Sequence, residues 1–171
     1  DDVERIEVLR GPQGTLYGSN TLGGLVKFVT VKPDSTSFAG RVQAGASSVS
    51  DGGNGFDAHA MVNLPLVRDK LALRVNAYDR HDPGYTDNVA TGKKDVDDAK
   101  VRGGRAQLMW TPNDDFSLRL SALAQNLSGD SLANVGTDVD PLTLKPIYGD
   151  LKQNRSPGTG QFAVRYRLYD A

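Results

Sequence analysis

Six stretches of this chain alternate apolar and polar residues with a strict period of two, and a segment with that period is a strand with two unlike faces. The first sets Phe38, Gly40, Val42, Ala44 and Ala46 against Arg41, Gln43 and Ser47. The second sets Phe56, Ala58, Ala60, Val62 and Leu64 against Asp57, His59, Met61 and Asn63. The third sets Leu71, Leu73, Val75 and Ala77 against Arg74, Asn76 and Tyr78. The fourth and fifth oppose Ala106, Leu108 and Trp110 to Arg105, Gln107 and Thr111, then Phe116, Leu118, Leu120 and Ala122 to Ser117, Arg119 and Ser121. In the sixth, Phe162, Val164, Tyr166 and Leu168 oppose Gln161, Arg165 and Arg167. Each run has about ten residues, the length of a tilted strand across a bilayer.

The connections alternate in length. Val67-Arg68-Asp69-Lys70 and Pro112-Asn113-Asp114-Asp115 have the chemistry of tight turns. Long polar loops occupy residues 82–100 and 128–159, and loops of that length are uncommon in compact domains unless functional. Short turns at one end and long loops at the other match a membrane barrel with periplasmic turns and extracellular loops. The polar face repeats Arg41, Arg74, Arg105, Arg119 and Arg165, which suits a wet lumen and equally the exposed face of a soluble sandwich. Aromatics near the strand ends favour the barrel: Phe38, Trp110 and Phe116 by the short turns, with Phe56, Tyr78 and Phe162 by the long loops, are read as interfacial girdles.

Composition excludes several classes. Twenty basic and 21 acidic side chains give a net charge of −1, so the basic excess that grips nucleic acid is missing. Without cysteine there is no disulfide, no thiol nucleophile and no Cys-ligated zinc. No apolar run reaches the roughly 18 residues of a membrane helix, and the mean hydropathy of −0.43 is compatible with strands that alternate. The Gly-rich start lacks G-x-x-x-x-G-K-[ST], so a phosphate cradle is not expected. His59 and His81 have no ligand spacing for zinc, and no metal site is expected. Asp95, Asp97, Asp98, Asp138 and Asp140 read as solvated loop charge in preference to a Ca²⁺ site. No nucleophile elbow assembles Ser, His and Asp, and no enzyme is expected.

The first 33 residues differ from the rest. VERIEVLRGPQGTLYGSNTLGGLVKFVTVKP reads as strand, Gly-rich turn and strand. With Arg10-Gly11-Pro12, Tyr17-Gly18 and Gly23-Gly24 at matching spacings, it resembles the end of the plug domain of TonB-dependent outer-membrane receptors. PLVRDKLALRVNAYDRHDPGYTDN and RAQLMWTPNDDFSLRLSA are similar to the family's first short-turn hairpins. Lys27, where the family commonly has Asn, and Thr21, where it favours a small residue, are departures.

The resemblance implies an all-β chain: residues 1–33 as the C-terminal part of a plug domain, and residues 34–171 as about six antiparallel strands of a transmembrane β-barrel. The family's barrel has about 22 strands, and the opening Asp1-Asp2 without Met reads as an internal segment. An upstream plug, its TonB-contact motif and the later strands are therefore expected outside this chain. It implies Arg10 as a plug–barrel contact pairing with wall carboxylates, and Gly11, Pro12, Gly14, Tyr17, Gly18, Gly23 and Gly24 as plug turns. Tyr85, Lys93, Lys94, Lys145 and Tyr148 are candidate ligand contacts in the loops. The implied function is energy-coupled uptake of a ferric siderophore, cobalamin or carbohydrate, without a cofactor. The implied partners are the TonB–ExbB–ExbD complex, outer-membrane lipid and the small nutrient ligand. The alternative is a passive porin or a soluble carbohydrate-binding β-protein.

Overall fold

The computed structural model describes residues 2–12, 14, 23–131, 140–145, 147–156 and 158–171. Strands β1 (Val3–Arg10) and β2 (Gly24–Thr30) form an antiparallel hairpin that pairs Arg10 with Gly24 and Glu7 with Lys27. Gly24 has a φ of 130°, and a Cβ there would stand 2.5 Å from the Leu9 carbonyl oxygen, so only glycine closes this end without strain. Lys27 Nζ lies 3.5 Å from Glu7 Oε2 across the hairpin, which gives the departure at position 27 a local partner.

The six alternating runs become β3 (Ala39–Ser48), β4 (Asn54–Val67), β5 (Leu71–Asp82), β7 (Ala99–Asn113), β8 (Phe116–Gly129) and β10 (Phe162–Asp170). The loops contribute the short strands β6 (Asp87–Asn88) and β9 (Lys152–Gln153). The large sheet is an antiparallel meander in the order β10-β8-β7-β5-β4-β3. Turns at residues 68–70 and 114–115 lie at one end, with Asp69 at a φ of 61°. At the other end lie the connections 49–53, 83–98 and 130–161. Strands β4, β5, β7 and β8 run to 14, 12, 15 and 14 residues, longer than the alternation alone predicts.

The sheet is inverted relative to a soluble domain. Among the described residues the buried hydrophobics are Ala72 and Val96, while Asn63, Arg74 and Gln107 are buried at 1%, 8% and 3% exposure. Val42, Phe56, Trp110 and Leu120 stand exposed on the opposite face. A sheet that covers its amides and arginine and bares its aliphatics is built for lipid outside and a polar lumen inside. Trp110 and Phe116 meet edge to face at 5.8 Å beside the short turns, as a girdle there requires.

Two sequence expectations need correction. Residues directly opposite across a ladder share a face. Tyr166 opposes Gln125, Leu168 opposes Leu123 and Asp170 opposes Ser121, all on the face that β7 and β8 build from Arg105, Gln107 and Ser121. The apolar side of β10 therefore faces the lumen, and Arg165 and Arg167 face outward. Alternation gives the period of a strand, whereas the register, which one residue of slip inverts, sets its face. Phe162, on the same side as Tyr166, leaves the expected outer girdle. So does Tyr78, whose ring stacks on His59 at 6.2 Å in the lumen and whose hydroxyl donates to Gln125 Oε1 at 2.7 Å.

Candidate functional site

Asp2 enters the lumen just before β1 and lies against the wall with its side chain 11% exposed. Its Oδ1 accepts from Arg74 Nε at 2.8 Å, and its Oδ2 accepts from Asn76 Nδ2 at 2.7 Å and from Arg105 Nη2. The side chains of Arg74 and Arg105 are 9% and 14% exposed. The alternation of β5 places Arg74 and Asn76 on one face, and the β5–β7 register sets Arg105 opposite Asn76. The wall thus presents a three-pronged donor set that one carboxylate fills. Two guanidinium cations and one carboxylate withdrawn from water at this depth hold only because the carboxylate's lone pairs are met together. A second tie joins Gln107 Nε2 to Thr30 Oγ1 at 3.2 Å, at the same end of the hairpin, where Thr30 pairs with Val3.

The connector after β2 is held by the side-chain amide of Asn63 and by the Asp69 backbone amide, which donates to the Ser35 carbonyl at 3.1 Å. Asn63 Nδ2 donates to the carbonyls of Asp34 and Ser37 at 2.9 and 2.8 Å, and Asn63 Oδ1 accepts from the Asp34 amide at 2.9 Å. The Asp34 carboxylate in turn accepts from Thr36 N, Thr36 Oγ1 and Ser37 Oγ at 2.6–2.7 Å. These donors, that of Ser37 foremost, hold its pKa down at about 2.

Arg10 stands exposed at the end of β1. Gly11 follows at a φ of 82°. Gly14 and Gly23 have open space where a Cβ would lie, so neither shows the steric demand seen at Gly24. Tyr17 and Gly18 lie outside the described residues. Sequence reasoning placed Arg74, Asn76, Arg105, Gln107 and Asn63 on the polar face but missed their partners, among them Asp2 for the first three. Asp2 is one acidic residue among several near the chain start, and nothing in its neighbourhood marks it.

The long loops are cross-linked above the sheet. Strands β6 and β9 pair in parallel, Asp87 with Lys152 and Asn88 with Gln153. Lys152 Nζ also bonds Asp87 Oδ2, and this contact is the main cause holding the Asp87 pKa below the usual carboxylate range. Asn88 Nδ2 donates to the Arg155 carbonyl at 3.0 Å. Asp97 Oδ1 accepts from the amides of Tyr85 and Thr86, both at 2.7 Å. Asp140 accepts from the amides of Leu142 and Thr143 at 2.8 and 3.0 Å, and these hold its pKa down. These two loop carboxylates thus order backbone; Asp138 lies outside the described residues. Tyr85, Lys93 and Lys94 are exposed on the first loop, with Lys93 Nζ 3.9 Å from Asp130. Tyr148 accepts from Asn154 at 2.9 Å, and Lys145 is exposed near it in sequence. The structure therefore divides the five candidate ligand residues between two loops that touch through β6 and β9.

Residues 1–25 match the model of the TonB-dependent receptor plug domain. The chain is 34% identical over 113 residues to the pesticin receptor of Yersinia enterocolitica, covering 66% of the chain and 16% of the relative. It is 30% identical over 155 residues to the Acinetobacter baumannii protein named "Probable TonB-dependent siderophore receptor PirA", covering 82% of the chain and 20% of the relative. The crystal structure of the ferric yersiniabactin uptake receptor FyuA from Yersinia pestis superposes with a TM-score of 0.73 at 27% identity, over 96% of this chain and 24% of that one. The chain thus spans about a fifth of the curated relatives it matches. With a plug-type hairpin seated against a meander whose oily face points outward, the chain is a segment of a TonB-dependent outer-membrane receptor.

Proposed function

We propose that this segment belongs to a receptor that imports a scarce metal chelate, foremost a ferric siderophore, across the outer membrane with energy from the TonB–ExbB–ExbD complex. The names of the relatives favour that cargo over cobalamin or a carbohydrate. The observation that carries the reading is the seating of Asp2 on Arg74, Asn76 and Arg105. A passive pore has no use for a folded hairpin ion-paired to its wall, whereas an energy-driven gate needs a contact that seals and can be broken. On this reading residues 1–33 belong to the plug and 34–171 to the wall. The bond from the Asp34 amide to wall residue Asn63 supports that division. Arg10 is proposed as a further plug–barrel contact, and the loop residues Tyr85, Lys93, Lys94 and Lys145, all exposed, with half-buried Tyr148, as the outer ligand surface.

The experiment is radiolabelled ferric-siderophore uptake by iron-starved cells carrying the intact receptor as their sole candidate importer, with and without TonB. TonB-dependent accumulation supports the reading. Accumulation that persists without TonB, together with steady conductance of the wild-type protein in planar bilayers, would refute it in favour of a porin.

A further inference from the structure

Asp2 uses its socket incompletely. It engages Arg74 through Nε and Arg105 through Nη2, while Arg105 Nε is buried and has no hydrogen-bond partner among the described residues. A carboxylate carried on a strand takes the donors that its backbone path allows, whereas a free one can turn to meet a guanidinium fork with both oxygens. Both strands that supply the socket are interior to the sheet, β5 between β4 and β7 and β7 between β5 and β8. Among the described residues Asp2 is the carboxylate that ion-pairs Arg74 and Arg105. Its withdrawal leaves two cations and an amide aimed at one point. A cavity of about 180 Å³ borders this point, with Asp2, Arg41, His59, Asn76, Tyr78 and Arg105 in its lining. His59 pairs with Tyr78 two residues nearer the long loops than Met61 pairs with Asn76, so the cavity extends from the clasp toward the loops.

We propose that Arg74, Asn76 and Arg105 form a binding site for a carboxylate group on a ligand in the lumen, and that this group competes with Asp2 and so releases the hairpin. The proposal rests on the import reading, which brings a ligand to the socket from the loop side, and deepens it by giving that ligand's own anion a part in opening the gate. A ligand that binds only the unseated form raises the unseated fraction by the factor 1 + [L]/Kd, about elevenfold at ten times Kd.

The test uses the intact receptor purified in detergent, with sodium acetate as the probe. Sodium chloride at equal ionic strength and acetamide, which matches acetate in shape without its charge, are the controls. Saturation-transfer NMR on the Asp2→Ala receptor gives the dissociation constant, and the acetate signal should be several-fold stronger there than in wild type, where Asp2 fills the socket. Hydrogen exchange at the β1 and β2 amides of wild type should quicken about elevenfold at ten times that constant, and neither control should reproduce the effect. Equal quickening by chloride would mean general screening, and a flat response to acetate would mean that no free carboxylate displaces Asp2; either overturns the proposal. Equal saturation in Asp2→Ala and wild type would place acetate elsewhere and overturn it too. Should Asp2→Ala fail to assemble, the wild-type exchange series decides alone: a rise with acetate concentration that chloride does not match supports the site, and a flat or chloride-like series refutes it. No TonB and no iron chelate enters these measurements, so the site can fail while TonB-dependent uptake persists, and uptake that proves independent of TonB would remove the import reading while the acetate response stands.

Discussion

Replacing Asp2 by Ala in the intact receptor should unseat the hairpin. The substitution removes every acceptor that Arg74 Nε, Asn76 Nδ2 and Arg105 Nη2 share through the Asp2 side chain. Both arginine side chains are at most 14% exposed, so the charges left behind are not freely hydrated. Removing one partner of such a buried pair costs about 3–5 kcal/mol. At 1.4 kcal/mol per factor of ten, that shifts the seated-to-unseated ratio by between about a hundredfold and a few thousandfold. Hydrogen exchange at the β1 and β2 amides reads the shift directly, and conductance in planar bilayers reads its consequence for the seal. The second substitution Arg105→Gln tests the origin of the effect: combined with Asp2→Ala it should cost much less than the sum of the two, because the carboxylate it would leave unpaired is already gone. Wild-type exchange rates and a closed channel in Asp2→Ala would show that the clasp does not seat the hairpin. Strict additivity would show that Asp2 and Arg105 act separately.

Other outcomes follow from single geometries. Gly24→Ala should destabilise the hairpin by about 1–3 kcal/mol, since the φ of 130° and the 2.5 Å approach to Leu9 O leave no room for a methyl group; unchanged exchange at the Leu25 amide would contradict this. Asp34, held near a pKa of 2, binds its proton more weakly folded than unfolded. Its share of connector stability is therefore complete above its ordinary value of 3.8 and lost as pH falls through about 2, and a carboxyl NMR titration with its midpoint at the ordinary value would show the capping bonds absent. Lys152→Met should loosen β6 from β9, seen as faster exchange of the Val89 amide that donates to Gln153 O at 2.9 Å; an unchanged rate would show that the ion pair does not hold the two strands together. Tyr78→Phe should cost about 1 kcal/mol through the lost bond to Gln125 without moving the β5–β7 register; an unaltered thermal midpoint would refute that bond's contribution.

The period of the strands, their order and the alternation of short and long connections were legible because each is a local pattern. Val62, Leu64, Leu73 and Val75 announce an apolar face without reference to any neighbour. What the pattern lacks is an absolute sign. In β10 the precedent of the preceding strands points the apolar side to lipid, yet the pairing of Tyr166 with Gln125 turns it inward. The wall half of the clasp was visible as Arg74 and Arg105 on a polar face, and its other half was not, because Asp2 is 72 and 103 residues away from them. The β6–β9 link, joining residues 65 apart, was hidden for the same reason.

Asn63 gives the molecule a fixed pivot. Because one side-chain amide grips two carbonyls and an amide of the connector, the connector is tied to the wall by bonds separate from those that hold Asp2 and Thr30. The strand pair can then swing clear of Arg74 and Arg105 while its leash stays anchored. On the proposed gating, re-closure would be a short tethered return, faster than a fresh search for the socket.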